Sequence, residues 1–184
     1  MIVPFGRMRY EATIRRLDPN AFDARVRQEL ASALRLATVV LGSPEGADDV
    51  VQVAMERAWS AIARYDVERP FRPWFLRIVA NTARNDRRRR GRQADLRLRA
   101  EREREPVETS AEDVVITDLD RRHVLAGLNR LDVDDRLVIA LRYFEHLSEV
   151  EMGDVLQCAP GTVKSRLARA RARLRRHLEE LADG

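Results

Sequence analysis

The chain has 184 residues, 34 of them basic and 30 acidic, for a formal net charge of +4. That length suits one ordinary domain or two small ones with thin cores, the single cysteine excludes an intramolecular disulfide, and no apolar run approaches membrane-spanning length. Lys164 is the only lysine, so the wealth of arginine reflects a coding bias, and the placement of charge rather than its amount has to carry any inference about nucleic acid. That placement is segregated: Arg84 to Arg104 is mostly basic, Gly161 to His177 is purely basic, and between them Glu105, Glu108, Glu112, Asp113, Asp118 and Asp120 stand without a cation. The alternation suggests two basic modules and an acidic connector.

In chain order, residues 1–19 form an N-terminal tail without a clear pattern, and Met1 to Tyr10 lacks the apolar core of a signal peptide, so a cytoplasmic protein is expected. From Asn20 a helix is predicted with Phe22, Val26, Leu30, Leu34, Ala37 and Leu41 on one face and Gly42 as its stop. Ser43-Pro44 opens the next, carried to Ala63 on Ala47, Val50, Val51, Ala54, Ala58 and Ile62. Its other face holds Asp48, Asp49, Gln52, Glu56 and Arg57, and by pattern alone it reads as solvated. After a turn-rich loop with Pro70 and Pro73, a third helix is expected from Trp74 to Arg90. Phe75, Ile78, Val79 and Thr82 face its core, and Arg77, Asn81, Arg84 and Asn85 share the opposite side, followed by Arg87 to Arg90. Aromatic rings beside amides and arginines suit single-stranded DNA, because bases stack on rings and amides read unpaired edges. Trp74 and Phe71 serve equally well as core anchors, and for Trp74 the core is favoured.

Residues 91–113, rich in arginine and glutamate and then in Pro106, Thr109 and Ser110, cannot bury enough apolar surface to fold alone and read as a flexible linker. Structure resumes with helices over Val114 to Leu131 and Asp134 to Phe144, the latter packing Leu137, Ile139, Ala140, Leu141 and Tyr143 under a helix-turn-helix. Ser148 and Glu151 form a capping box ahead of Met152, Val155 and Leu156, and Gly153 is small enough for a close helix crossing. Pro160 opens the last helix, whose buried side is Val163, Leu167, Ala170, Leu174 and Leu178. Its other side carries Lys164, Ser165, Arg166, Arg169, Arg171, Arg173, Arg175 and Arg176, with no acid between Asp154 and Glu179. An ordinary solvated helix face mixes signs, whereas hydrogen-bonding residues followed by cations suit the DNA major groove and its flanking phosphates. The fold class is therefore all-α: two small helical domains, over 20–90 and 114–181, the second a four-helix helix-turn-helix domain.

Nothing in the sequence offers catalysis. His123, His146 and His177 are scattered, Cys158 has no second thiol, and there is no phosphate-cradling glycine loop and no nucleophile beside a base. No cofactor and no metal are expected. A classical transcriptional regulator would need an effector or phosphoacceptor domain in front of the helix-turn-helix, and a serine recombinase an α/β catalytic domain; Phe22 to Arg90 shows no strands for either.

Four blocks, Asp48-Asp49-Val50-Val51-Gln52 with Arg57-Ala58-Trp59, Trp74 to Asn81, Leu131 with Asp135-Arg136, and Gly161 to Leu167, resemble bacterial sigma factors of the extracytoplasmic-function class, collinearly from about Phe22 to Leu178. Val53 and Gln157 depart from the family pattern, the first where glutamate is usual and the second where a small turn residue is. The resemblance implies a subunit of RNA polymerase that selects promoters. It implies that Asp48, Asp49, Gln52, Val53 and Glu56 dock on core polymerase, against the solvated reading of that face. It assigns opening of the minus-ten element and capture of a base to Phe71, Arg72, Arg77, Asn81, Arg84, Asn85 and Arg88. Lys164, Ser165, Arg166, Arg169 and Arg173 would read the minus-thirty-five element as duplex. The implied partners are core polymerase and promoter DNA, duplex and single-stranded, together with an anti-sigma protein in those members of the class that have one; membrane insertion is not implied.

Overall fold

Helical spacing of apolar residues draws the first helix, α1 (Pro19–Leu41), in the computed structural model, which describes residues 19–101 and 119–182. Phe22, Val26, Ala33, Leu36, Ala37, Val40 and Leu41 are buried, whereas Leu30 is exposed and Leu34 half-buried. The expected stripe thus drifts around the helix. Its start packs against aromatic rings of the following elements, and its end meets a helix from the far half of the chain. Gly42 stops α1 with a φ of 85°, a conformation cheap only for glycine, and donates its N–H to the Thr38 carbonyl at 2.9 Å.

The second helix, α2 (Ala47–Ala61), begins later than the Ser43-Pro44 signal implied, because those residues turn the chain and Gly46, at φ 76°, makes the entry. Asp48 and Asp49 occupy its first turn, where the helix dipole favours anions. Ala47, Val50, Val51, Ala54 and Ala58 are buried, as their spacing predicted. A 3-10 turn over Ile62–Arg64 leads to α3 (Phe71–Glu101), which starts before Trp74. Pro73 is tolerated there because first-turn N–H groups have no intrahelical acceptor to lose. The helix also runs past Arg90 into the stretch read as linker. Arginine, leucine, alanine and glutamine are good helix formers, and Gly91 alone costs about 1 kcal/mol. Residues 102–118, the rest of that linker and the beginning of the helix expected from Val114, lie outside the described residues.

The second half contains the four expected helices, α4 (Leu119–Arg130), α5 (Val133–Ile139), α6 (Glu149–Leu156) and α7 (Pro160–Ala182), and no strand occurs among the described residues. Asp132 caps α5 by accepting the Asp135 N–H at 2.8 Å. The helix then widens into a π turn, Ala140–Phe144. That extra residue per turn corrects one expectation: Tyr143 is 48% exposed, and Phe144 packs on the core in its place. Ser148 and Glu151 form the full capping box, the Glu151 N–H reaching Ser148 Oγ at 3.3 Å and the Ser148 N–H reaching Glu151 Oε2 at 2.8 Å. A Cβ on Gly153 would stand 2.8 Å from the Cys158 carbonyl, which is why the turn between α6 and α7 requires glycine there. Gln157 takes the left-handed turn position (φ 53°) and ties its amide to the Asp154 carbonyl at 2.7 Å, so the departure from a small residue is accommodated locally. On α7, Val163, Leu167 and Ala170 are buried and Leu174 and Leu178 half-buried.

The two halves share one apolar cluster, with α1 against α5 and α3 against α6. Arg136, 1% exposed, sits at the α1–α5 contact and donates to the Val40 carbonyl of α1 as well as to the Leu128, Asn129 and Leu131 carbonyls at the end of α4.

The two hydrogen bonds from Ser148 hold the Glu151 carboxyl below its ordinary value. A group whose folded value is depressed contributes stability above its unfolded value and loses it as pH falls through the folded one. Ser148→Ala should therefore cost about 1 kcal/mol in urea unfolding at neutral pH. The gap to the wild type should narrow in acid below the ordinary glutamate range; a gap constant across the acid range would disconnect Glu151 from the cap.

Candidate nucleic-acid interface and docking face

Three surfaces carry the residues singled out in the sequence. On α7, Lys164, Ser165, Arg166, Arg169 and Arg173 are all exposed. Ser165 Oγ donates to the Thr162 carbonyl at 2.9 Å, and Lys164 and Arg166 make no ion pair among the described residues. Arg173 is engaged: it pairs with Asp132 at 3.3 Å and more closely with Asp135, whose hydrogen bond pushes the guanidinium further up in pKa. The face is cationic at the edges and partly neutralised in its later turns.

On α3, Asn81 and Asn85 are exposed on one side, with Arg84 half-buried between them and Arg77 one turn earlier. Arg84 pairs with Asp134 at 2.5 Å, and Arg88 lies 3.6 Å from the same carboxylate. Arg72 pairs with Glu29 at 3.1 Å and with Glu145 at 2.9 Å. Phe71 is not a presented ring. Because α3 starts at Phe71, its side chain falls one turn before Phe75 and inside the core, 9% exposed, stacked on Phe75 at 5.8 Å and edge-on to Phe22 and Tyr65. Trp74, half-buried, leans on Tyr65 and Phe71, in keeping with the core preference.

Tyr65 escaped the sequence reading. It is 1% exposed, burial raises its pKa, and its hydroxyl donates to the Arg69 carbonyl at 2.5 Å, fixing the loop whose Asp66 caps the Glu68 N–H. That loop, with Arg64, Trp74, Arg77 and Asp154, encloses a depression of about 280 Å³.

On α2, Asp48, Asp49, Gln52, Val53 and Glu56 are all exposed, and the three acids make no ion pair among the described residues. Arg57 reaches back to Thr82 Oγ1 at 3.1 Å, tying α2 to α3. Asp49 and Val53 border a cleft of about 360 Å³ whose other wall is Asn85, Asp86, Arg89 and Arg90 of α3. Burial would raise the Asp86 carboxyl, but the hydrogen bonds from Arg89 and Arg90 outweigh it and hold the value down. No group of metal-ligating side chains occurs among the described residues, and no described helix is long and apolar enough to cross a membrane.

A helix-turn-helix with a cationic second helix, preceded by a helical unit carrying an acidic face on one helix and an amide-arginine face on the next, has close relatives. Residues 25–93 match Sigma-70 region 2 and residues 121–174 match Sigma-70, region 4. The chain is 35% identical over 153 residues to the RNA polymerase sigma factor NccH of Alcaligenes xylosoxydans xylosoxydans, covering 80% of this chain and 81% of that protein. It is 32% identical over 177 residues to the RNA polymerase sigma-H factor of Pseudomonas aeruginosa, covering 91% of each.

The chain belongs to the sigma factors of the extracytoplasmic-function class.

Among solved structures, the sigma factor RpoE of Bartonella quintana, in complex with the anti-sigma factor NepR, superposes with a TM-score of 0.67 at 26% identity, over 86% of this chain and 96% of that one. CnrH in complex with the cytosolic domain of CnrY gives 0.62 at 29% identity, over 89% and 90%. Such factors bring RNA polymerase to specific promoters; the chemistry of RNA synthesis is polymerase's own.

In this sigma factor Phe71 is a packing residue. Phe71→Ala should destabilise the fold by about 3–5 kcal/mol in denaturant unfolding, whereas Phe71→Leu should recover most of that. A fully stable Phe71→Ala chain with impaired promoter opening would return the ring to the interface.

Proposed function

We propose that this sigma factor reads the two elements of its promoters with two different helices and holds core polymerase with a third. Lys164, Ser165, Arg166 and Arg169 of α7 take the minus-thirty-five duplex in the major groove, helped by Arg173 once it leaves its acids. The observation that carries this is the exposed face of Lys164, Ser165, Arg166 and Arg169, whose cations make no ion pair among the described residues, opposite the buried Val163, Leu167 and Ala170. Asn81, Arg84 and Asn85 of α3, with Arg72, Arg77 and Arg88, open the minus-ten element. Neutral amides pair with base edges, the arginines take phosphates, and the loop braced by Tyr65 receives an extruded base. Asp48, Asp49, Gln52, Val53 and Glu56 of α2 dock on a basic surface of core polymerase, consistent with exposed acids that have no internal partner among the described residues. The work is cytoplasmic, where polymerase and promoters are. An anti-sigma protein is a further partner, since the structurally similar RpoE of Bartonella quintana was captured with the anti-sigma factor NepR.

Run-off transcription on genomic promoter fragments, with purified core polymerase and with or without this chain, tests the whole reading. Defined initiation should require both components. Lys164→Ala with Arg169→Ala should weaken promoter binding while leaving affinity for core polymerase intact, by tenfold or more if either side chain reads a base, since each such contact is worth about 1–3 kcal/mol. Specific repression by the chain alone would overturn the assignment.

Strand opening separates from duplex reading. Asn81→Ala with Asn85→Ala should impair open-complex formation more than closed binding, because contacts made only after extrusion offset a melting cost of a few kcal/mol. A template with a mismatched, pre-opened minus-ten region should restore part of the loss, read as permanganate reactivity and abortive transcript yield. Equal defects on both templates would place the role of the amides outside melting.

A further inference from the structure

The amide-arginine stripe of α3 does not stop where the core stops. Asn81, Asn85, Arg88 and Arg92 recur at spacings of four, three and four, which keeps all of them on one side of a continuous helix. Ala83 is the last fully buried side chain of α3 among the described residues. The last hydrogen bond from α3 to another part of the first unit, again among the described residues, is the one that Arg90 donates to the Glu45 carbonyl at 3.3 Å. Beyond it Gly91, Arg92 and Gln93 are exposed, and a Cβ on Gly91 would meet nothing within 4 Å. The helix nevertheless continues to Glu101.

The cations along this end differ in what they have left to give. Arg89 donates to Asp86 at 2.6 Å, and Arg90 to Asp86 as well as to Glu45. Arg88 approaches Asp134 only to 3.6 Å, and Arg92 makes no ion pair among the described residues. The stripe thus passes from amides to guanidiniums with donors to spare. An amide pairs with a base edge, which a strand offers freely once it is unpaired; a guanidinium needs a phosphate oxygen, which a duplex offers at every step. From Asn85 to Arg92 the helix rises by about 10 Å, roughly three steps along a strand. Because α3 leads on to the half assigned to the minus-thirty-five element, its end lies on the upstream side, where the DNA is still paired.

We propose that the end of α3 around Arg92 is a phosphate rail for the duplex immediately upstream of the opened element. The inference rests on the promoter reading above and adds a sequence-independent contact to it: the amides hold the opened strand, and Arg92, helped by Arg88, holds the paired DNA at the junction. Helical continuation that buries no apolar surface at Gly91 to Gln93 has a use here, since it keeps Arg92 in line with Asn85. A chain unwound after Arg90 would lose that register.

The test uses full-length wild-type and variant chains assembled with core polymerase, with promoter affinity read by fluorescence anisotropy. Arg92→Ala removes one phosphate contact, so between about 50 and 200 mM salt the wild type should lose about three- to fourfold more affinity than the variant, on every promoter sequence alike. Gly91→Pro, which breaks the helix beyond its core-packed part, should match Arg92→Ala, with the unfolding midpoint of both variants unchanged. Uncharged methylphosphonate links, placed one at a time through about five steps upstream of the captured base, should weaken wild-type binding at one or two positions and leave Arg92→Ala indifferent there. Equal salt slopes for wild type and Arg92→Ala, or methylphosphonate costs that survive in the variant at every position, would overturn the proposal. A loss confined to one promoter sequence would also overturn it, by making Arg92 a base reader. Absence of defined initiation by the wild type with core polymerase would remove the promoter reading and the rail together, whereas initiation with equal salt slopes removes the rail alone.

Discussion

A buried guanidinium with no carboxylate hydrogen-bonded to it joins the two halves of this sigma factor. Arg136 gathers four backbone carbonyls, from Val40 at the end of α1 and from Leu128, Asn129 and Leu131 at the end of α4, at 3.0 to 3.2 Å. The last carbonyls of a helix lack intrahelical partners and carry the negative end of its dipole, so one cation resolves both problems for two helices. Burial presses the Arg136 pKa down, yet a guanidinium stays protonated in proteins. Gly42 completes the joint: a Cβ there would stand 2.5 Å from Asn129 Oδ1 and 2.6 Å from Arg136 Nη1, and Asn129 donates to the Gly42 carbonyl at 3.1 Å. Fixing α5 against the end of α1 in this way sets where the π turn points, and hence where Glu145 and Asp134 reach.

Local chemistry was legible wherever its cause was local. The capping box at Ser148, the stop at Gly42, the proline start of α7 and the buried stripes of α2 and α7 all depend on residues within a turn or two of each other, and all stand where the sequence put them. What escaped was set by distant partners or by weak local signals. Leu30 leaves the core because α1 is covered from different sides along its length. Tyr143 turns outward because a π turn, which has no sequence signature in these residues, adds one residue to the winding. The extension of α3 to Glu101 follows from helix propensity without any core to reward it, a case where reasoning from burial alone stops the helix too soon.

The site divides along the same line. Exposure of Lys164, Arg169, Asn81, Asn85, Asp49 and Gln52 follows from helical periodicity, and the structure agrees. Their electrostatic partners do not follow, since Arg72 and Glu145 are 73 residues apart. Phe71 was ambiguous for a related reason: one residue beside a turn can be either a stacking platform or a core ring. Only the register of α3, one turn ahead of Phe75, decides between them.

A net charge of +4 conceals the division that matters. Three acids on α2 have no partner among the described residues, while Arg72 and Arg84 of α3 and Arg173 of α7 are matched to Glu145, Asp134 and Asp135 of the other elements. An arginine held by a carboxylate has fewer donors to offer a phosphate, whereas Lys164, Arg166 and Arg169 make no ion pair among the described residues and keep theirs. Unpaired surface acids steer a protein toward basic surfaces, which is why the open α2 face suits the docking role proposed for it.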